Sequence, residues 1–244
     1  MCYSLRTVTS MQTLASTFDA VVDDKAFAKF AQTRKHLEAL SPEQIKMQLG
    51  LKRLPAKPIW RWAPDEEDQR VYPGYFLPAI ISEAGERKIA PMRYRVRPEG
   101  SAEEIPSKFN VFNCRDDAIT RRQTWRKLFS RRHALVPFTH FYEWVAAGNQ
   151  KQQVAFYPKG FELSWAPALF DEWQSTDSEI SFRSLAIITR EPPPEILAAG
   201  HDRCPILLEQ SKIDVWLNPE SHTQGYLLDC LQEIERPVYG CERV

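Results

Sequence analysis

The chain has 244 residues, of which 43% are hydrophobic and 26% are charged. This balance predicts one globular domain over residues 1–244, long enough to bury a core without disulfides or structural metals. The 32 basic and 32 acidic residues give a formal net charge of zero. Charge balance argues against a protein that coats nucleic acid by bulk attraction, but it permits a local basic patch.

Several classes of protein are disfavoured by simple patterns. No segment approaches the roughly 20 apolar residues of a membrane span, and the start, MCYSLRTVTS, lacks the features of a secretory signal. We therefore expect a cytoplasmic protein, or a nucleoid-associated one if it binds DNA. No CxxC motif or zinc-like Cys/His spacing occurs, so we predict neither a disulfide framework nor a metal. The five cysteines are Cys2, Cys114, Cys204, Cys230 and Cys241.

The first third of the chain alternates between extended, helical and irregular segments. Residues 1–10 are predicted to be extended, and residues 24–50 to be helical. Within the helical region, Ser41 and Gln44 fit a capping box around Pro42, and Gly50 is a natural helix end. The proline-rich residues 51–75 predict an irregular connection whose aromatic side chains pack on the domain.

Strand-like segments dominate the remainder. A helix is predicted to open with a capping box from Thr120 to Gln123, placing Trp125, Leu128 and Phe129 at core spacing. The predicted strands are 76–82, 88–96, 134–145, 152–157, 161–166, 168–173 and 182–189, with turns at Gly148-Asn149 and Lys159-Gly160 and late helices near 211–217 and 223–235. This order predicts an α+β domain with a mostly antiparallel, barrel-like sheet core and peripheral helices.

Cys2 follows the initiator methionine directly. Initiator methionine is trimmed when the next side chain is small, which would leave a free α-amine beside a thiol. Groups of these types titrate at about 7.7–8.0 and about 8.5, so both are partly nucleophilic at physiological pH. An aldehyde would condense with the amine, and the sulfur would then close a thiazolidine ring. The alternative is a cysteine without a chemical role.

Glu143 lies in the segment FTHFYEWV, where alternation places it on one face with Phe141 and Val145. A carboxylate is costly to bury among apolar neighbours, which makes Glu143 a candidate for proton transfer. The alternative is a glutamate on an edge strand that reaches water.

His201 lies in GHDRCPIL, between a proline-rich break and an apolar segment. A loop there can present an imidazole to a cleft, where it would shuttle protons near neutral pH. The alternative is a surface ion pair between Asp202 and Arg203, with His201 as a structural hydrogen-bonding group.

Two basic segments predict contacts with single-stranded nucleic acid. Residues 113–133 contain a run of arginines, among which Arg121 and Arg122 are candidate phosphate ligands. Asn113 and Arg115 precede the predicted helix and could point into a pocket. Residues 90–98 interleave arginines with softer groups, and Met92, Arg93 and Tyr94 are candidate DNA contacts. The alternative for many of these charges is a solvated surface.

The order of these motifs resembles the SOS response-associated peptidase (SRAP) family of abasic-site processing proteins. The resemblance rests on Cys at position 2, MRY, the N-x-R loop, LVPxxxFYEW, LxIIT and HDRCPIxL. It covers roughly residues 89–219 and the first few residues. Residues 8–70, including the helical 24–50 segment, and the end after 235 match poorly.

The resemblance implies a mechanism. Cys2 would trap the ring-opened aldehyde of an abasic site in single-stranded DNA, while Glu143 moves protons during Schiff-base and ring closure. His201 would protonate the sugar oxygen and could assist strand cleavage, Asn113 would hold the linkage, and Arg115 would bind a flanking phosphate. Lyase activity and self-removal of Met1 are further implied activities.

This chain departs from the family at several positions. MCYS replaces the common MCGR, so Tyr3 is bulkier than glycine and Ser4 cannot replace an arginine phosphate contact, for which Arg6 could compensate. The middle of the N-x-R loop is Cys114, where alanine is common. The departures concern DNA binding more than the chemistry.

Two alternative functions remain open on the sequence. One is a cysteine peptidase using Cys2, His201 and Glu143, which would need the thiol but not the α-amine. The other is a non-catalytic module that binds single strands through residues 90–132. For the main hypothesis we expect a monomer whose partner is single-stranded DNA containing abasic sites, with no membrane partner.

Overall fold

The fold described here is a computed structural model, and it describes residues 3–55, 59–148 and 150–244. Over these ranges the chain forms strands and helices in an α+β arrangement, as the sequence predicts. The strands are β1 (Ser4–Arg6), β2 (Val21–Val22), β3 (Arg70–Val71), β4 (Phe76–Glu83), β5 (Glu86–Tyr94), β6 (Asn113–Arg115), β7 (His133–Phe138), β8 (His140–Ala147), β9 (Gln150–Pro158), β10 (Ser164–Gln174), β11 (Ser181–Arg190), β12 (Cys204–Pro205) and β13 (Tyr239–Arg243). The α-helices are α1 (Met11–Phe18), α2 (Asp24–Glu38), α3 (Pro42–Leu49), α4 (Gln123–Arg126), α5 (Pro194–Ala198), α6 (Ile213–Leu217) and α7 (Gln224–Cys230).

Five strands close into a barrel. The order β11-β10-β7-β4-β5 is antiparallel throughout, and β5 then returns to lie parallel to β11, where Arg183 pairs with Met92 and Leu185 with Tyr94. Closure leaves these strands without a free edge, which removes a route to aggregation. The predicted barrel-like core is confirmed.

A second sheet lies beside the barrel in the order β13-β9-β8-β1-β3. Its centre is the antiparallel pairing of β1 with β8, in which Ser4 lies opposite Tyr142 and Leu5 opposite Phe141. The start of the described chain is therefore held against the strand that carries Glu143.

Alternate residues of the barrel strands pack into two different layers. On β4, Leu77 and Ile81 join a cluster with Phe141 of the second sheet, whereas Ile80 joins a cluster with residues of α1, α4, α6 and α7. Period-two alternation of a strand produces this division. The core thus joins the barrel to the second sheet on one side and to the helices on the other.

The helical region is folded as its sequence predicts. Ser41 and Gln44 form both hydrogen bonds of the capping box, with distances of 2.8 and 3.3 Å, and Gly50 ends α3 with φ 57°. A third cluster, which includes Leu37 and Trp60, packs this region against the end of the barrel.

Several local predictions were wrong. Thr120 does not cap a helix: α4 begins after Arg122, which makes no side-chain capping bond. Trp125 and Phe129 are nevertheless buried, because the apolar spacing rather than the cap positions this segment. Strands 161–166 and 168–173 are one strand, β10, since pairing with β7 continues through Pro167. The sequence also did not predict that the strand 134–145 is divided at Thr139 into β7 and β8. Nor did it predict α1 or β13. Asn149, part of one predicted turn, lies outside the described residues.

None of the helices in the described ranges has the length and apolar character that crossing a bilayer requires.

Candidate active site and nucleic-acid interface

A buried acid–base pair lies where the second sheet meets the loop after α5. Nε2 of His201 is 3.0 Å from Oε2 of Glu143, and the side chains are only 8% and 5% exposed. Glu143 shares its buried face of β8 with Phe141 and Val145, while Trp144 points outward and is 49% exposed. The glutamate therefore does not reach water as the alternative for this residue supposes.

The loop that carries His201 is fixed by its own backbone. After α5, Gly200 adopts φ 93°, and the His201 N–H donates to the carbonyl of Ile196 at 3.2 Å. Nδ1 of the ring is 2.8 Å from the carbonyl oxygen of Arg203 and 3.2 Å from its backbone nitrogen. Asp202 and Arg203, both within the described chain, do not form the ion pair that the alternative for this segment assumes.

Both ring nitrogens of His201 have polar partners. Nδ1 faces the carbonyl oxygen and the backbone N–H of Arg203, so it donates to the first or accepts from the second according to the tautomer. Nε2 lies within hydrogen-bond distance of the Glu143 carboxylate, at 3.0 Å. An imidazole and a carboxylate in contact in a buried site suit a pair that both donates and removes protons during a reaction.

Asn113 begins β6 and is 6% exposed. Its side-chain oxygen accepts a hydrogen bond from the hydroxyl of Tyr94 at 3.2 Å. Its backbone N–H donates to the side-chain oxygen of Asn110 at 3.0 Å, so a local turn fixes the start of the strand. The amide is thus held in a defined orientation by the barrel wall.

Strand β11 brings the N-x-R and HDRCP segments together. It pairs with β6, with Thr189 opposite Arg115, and with β12, with Thr189 opposite Pro205. Arg115, Arg203 and Tyr239 line one cavity of about 780 Å³ at this end of β11. Two motifs that are 90 residues apart in the sequence therefore border the same space.

Arg203 is a residue whose importance the sequence did not reveal. It is 8% exposed, lines the cavity, and forms no ion pair within the described part of the chain. Its charge acts on Asp117, and the cavity is lined by acidic as well as basic side chains. A guanidinium without a direct ion pair remains available to bind an anion. The signal available in the sequence was its place two residues after His201, but it was interpreted there only as a surface charge.

The cations of the N-x-R loop converge on Asp117. Arg115 binds both carboxylate oxygens at 2.8 and 2.7 Å, and Arg121 approaches at 3.3 Å. The hydrogen bond from Arg115 lowers the pKa of Asp117, and the charges of Arg121 and Arg203 lower it further. Arg122 is exposed and makes no ion pair among the described residues. The carboxylate of Asp117 therefore partly neutralises the positive charge that a phosphate could bind at this cluster.

The 90–98 segment is less open than its sequence suggests. Met92 and Tyr94 are fully buried in the barrel, and the side chain of Arg93 pairs with Glu104 at 2.8 Å. Any role of these residues in binding DNA would be indirect, through the barrel wall. Arg6 is half-buried on β1 and forms no ion pair within the described residues.

The surroundings of the described cysteines disfavour their thiolate forms. Burial raises the pKa of Cys204 to about 12 and that of Cys230 to about 11, and it raises the pKa of Cys114 and, more exposed, of Cys241 as well. The thiolate is the nucleophilic form of cysteine, so a raised pKa disfavours attack by these thiols at neutral pH. Cys2, the remaining cysteine, lies outside the described residues. Within the described ranges no cluster of His, Cys, Asp or Glu is arranged to hold a metal ion.

The fold is a closed five-stranded barrel with an attached sheet, and the candidate site is a buried Glu–His pair at the edge of that sheet. The sequence model described as SOS response associated peptidase (SRAP) matches residues 1–244. The chain belongs to this family. The match includes residues 8–70 and the end after 235, where the motifs alone gave little resemblance.

Relatives and solved structures agree with this assignment. The chain is 26% identical over 162 residues to the abasic site processing protein YoaM of Bacillus subtilis, covering 66% of this chain and 70% of that protein. It is 35% identical over 167 residues to the abasic site processing protein HMCES of Rattus norvegicus, covering 56% and 47%. A crystal structure of a Bacteroides thetaiotaomicron protein matches with a TM-score of 0.67 at 16% identity, covering 100% of this chain and 92% of that one. That likeness establishes the fold alone.

Proposed function

We propose that this protein processes abasic sites in single-stranded DNA by forming a covalent thiazolidine crosslink through Cys2 after Met1 is removed. The observation that carries the proposal is the buried contact between Glu143 and His201 beside the strand that begins the described chain. The names of the relatives, abasic site processing proteins, support the substrate.

The register of the second sheet supports the reach of Cys2. Ser4 lies opposite Tyr142, the residue that precedes Glu143 on β8. Cys2 is two residues before Ser4, and two residues of chain span at most about 7 Å. An N-terminal nucleophile on so short a tether would have access to the acid–base pair.

The chemistry balances without a cofactor. The closed sugar opens when its anomeric hydroxyl loses a proton and the ring oxygen gains one, which gives an aldehyde. The α-amine of Cys2 adds to this carbon, and loss of water gives an imine. The thiol then adds across the C=N bond: sulfur bonds to carbon, and the nitrogen takes the proton. The net reaction joins aldehyde and aminothiol with release of one water.

Glu143 and His201 supply the proton transfers that these steps require. His201 protonates the ring oxygen as the sugar opens. Glu143 takes the proton from the attacking amine and returns it to the departing hydroxyl. Their mutual contact lets one group recharge the other between steps, since a proton moved by either can be exchanged over 3.0 Å.

The cavity that Arg115 and Arg203 line would hold DNA next to the linked sugar, although Glu143, His201 and Asn113 are not among its lining residues. Asn113 would hydrogen-bond the linked sugar, while Arg115 and Arg203 would bind a flanking phosphate. Arg122 and Arg6 extend the basic path at the surface, and Arg121 supports Arg115 through Asp117. Binding as a monomer on nucleoid DNA, AP-lyase cleavage and self-removal of Met1 belong to the same proposal.

A peptidase is the second candidate function, and the family description together with the Glu–His pair favours it. In that function the Cys2 thiol alone attacks a carbonyl, with His201 as base and Glu143 as its orienting partner. The two functions differ in the α-amine. Acetylating the N-terminus would abolish aldehyde capture and leave a hydrolase active.

The proposal is tested by mixing the protein with an oligonucleotide that carries one abasic site and boiling the products in detergent. The wild type and the control Cys241→Ala, which lacks the exposed cysteine, should give a slow-migrating covalent band. Cys2→Ala should give none. Equal, denaturant-labile complexes from all three proteins would refute the proposal and favour a non-catalytic binding module.

A further inference from the structure

Tyr3, which follows the proposed nucleophile in the sequence, presents an aromatic ring to solvent. It is 42% exposed, yet its ring is not loose: it packs edge-to-face on Tyr72, with centroids 6.1 Å apart and planes at 71°. Tyr72 in turn packs edge-to-face on Tyr75 at 5.4 Å. An exposed large ring held by a second ring is a preformed stacking surface.

A buried arginine holds this aromatic group in place. The guanidinium of Arg70 lies 5.0 Å from the ring centre of Tyr72 and 3.8 Å from that of Tyr142. It also donates to the Ser4 hydroxyl at 2.9 Å and to the Gln153 side chain at 3.0 Å. These contacts tie Tyr72 to β1, β8 and β9, so the position of the ring is set by the sheet that carries Glu143.

The acidic side chains around Tyr72 and Tyr75 favour a nucleobase over a phosphate at this surface. Glu66, Glu67 and Asp68 line a cavity together with Tyr72 and Tyr75. Carboxylates repel a phosphate but tolerate a neutral base, whereas Arg6 on β1 is half-buried and forms no ion pair within the described residues. The backbone of a strand would therefore follow the arginine side, and its base would turn toward the tyrosines.

We infer that Tyr3, supported by Tyr72, is a stacking site for the unpaired nucleobase next to the abasic sugar. The inference rests on the proposed function, because the sugar linked to Cys2 places its neighbouring nucleotide beside residue 3. It makes the identity of that neighbour a determinant of reactivity, with purines favoured over pyrimidines because they offer more area for stacking.

Stacking is measured without covalent chemistry in the Cys2→Ala background. An oligonucleotide carries a tetrahydrofuran in place of the abasic site and 2-aminopurine on its 5′ or its 3′ side. Cys2→Ala should quench the fluorescence of one of the two probes. Adding Tyr3→Ala should abolish the quenching, and adding Tyr3→Phe should preserve it. Tyr226→Ala, which removes a tyrosine of similar exposure (43%) on α7, is the matched control.

Reactivity is measured in parallel with wild-type Cys2. The nucleotide that stacks on Tyr3, next to the abasic site, is either adenine or a tetrahydrofuran without a base. Crosslinking should be at least about fivefold faster with adenine, which is the ratio expected from a weak base–aromatic stack. Tyr3→Ala should remove this preference. Unchanged quenching and an unchanged preference in Tyr3→Ala would overturn the inference while leaving capture by Cys2 intact. Quenching without any crosslink in the wild type would instead overturn the proposed function. Melting curves of each variant establish that it is folded.

Discussion

Nε2 of His201 lies 3.0 Å from Oε2 of Glu143, and both side chains are enclosed by the protein. The contact joins β8 of the second sheet to the loop after α5, which are far apart in the sequence. The loop backbone holds Nδ1 of the imidazole, and Nε2 faces the carboxylate. This relationship gives the site its capacity for proton transfer.

Glu143→Gln should slow formation of the denaturant-stable crosslink by about 100-fold or more, the usual contribution of a positioned acid–base group. Glutamine keeps the shape and a hydrogen bond to His201 but cannot carry the proton. Single-turnover time courses on denaturing gels measure the rate. Glu242→Gln, an exposed change on β13, should be without effect. An unchanged rate in Glu143→Gln would remove this residue from the chemistry.

His201→Asn should slow crosslinking to an ordinary abasic site more than crosslinking to an oligonucleotide with an open-chain aldehyde. Only the first substrate needs its ring oxygen protonated as the sugar opens. The ratio of the two rates, compared between wild type and variant, is the measurement. His222→Asn, near α7, should leave both rates alone. Equal slowing on both substrates would show that His201 acts elsewhere in the reaction.

Arg203→Gln in the Cys2→Ala background should weaken non-covalent binding to single-stranded DNA. If its guanidinium meets one phosphate, the slope of log affinity against log salt should shrink by about 0.7. Fluorescence anisotropy at several salt concentrations measures this slope. Arg34→Gln on α2, where the arginine already pairs with Glu38, is the control. An unaltered slope would place Arg203 outside the DNA path.

His133 should make the fold sensitive to acid. Burial lowers its pKa to about 3, and its ring stacks on Trp216 at 3.8 Å. Unfolding restores a pKa near 6.5, so between these values the unfolded state binds the extra proton. The free energy of unfolding is unaffected above about pH 6.5 and should fall by up to about 1.4 kcal/mol per pH unit below it. Urea titrations at pH 7 and pH 5 measure this loss. His133→Gln should flatten the dependence, and an identical dependence in both proteins would contradict the assignment.

Gly50→Ala should destabilise the protein by at least about 2 kcal/mol. Gly50 has φ 57°, and an added Cβ would lie 2.1 Å from the carbonyl oxygen of Ala102. Gly85 also has a positive φ, 79°, but open space around it. Gly85→Ala therefore carries only the backbone strain, about 1 kcal/mol. Equal losses for the two variants in urea titrations would rule out the clash at Gly50.

Much of the fold was predictable because local chemistry and final structure agree. The capping box of Ser41 and Gln44 and the stop at Gly50 operate within a few residues, so the sequence alone reveals them. Closure of the barrel was not predictable in detail, since the parallel pairing of β5 with β11 joins residues about 90 positions apart. Strand β13 was missed because its pairing with β9, rather than any periodicity, makes it a strand.

The site likewise contains residues that the sequence identified and residues that only the structure identifies. Motifs named Glu143 and His201 individually, but only the folded chain brings them to 3.0 Å. Arg203 and the tyrosine pair were not found, because their significance lies in burial and in ring packing. Met92 and Tyr94 were interpreted as surface residues because they alternate with arginines in the sequence. Both side chains are buried in the barrel instead.

In the proposed mechanism one modified residue, the first of the mature chain, carries the DNA. Mass spectrometry of the crosslinked protein, intact and after proteolysis, locates the adduct. We expect a mass equal to protein minus the methionine residue plus oligonucleotide minus one water, with the adduct on the peptide that begins at Cys2. An adduct on a lysine or on Cys241, or one in a chain that retains Met1, would contradict it.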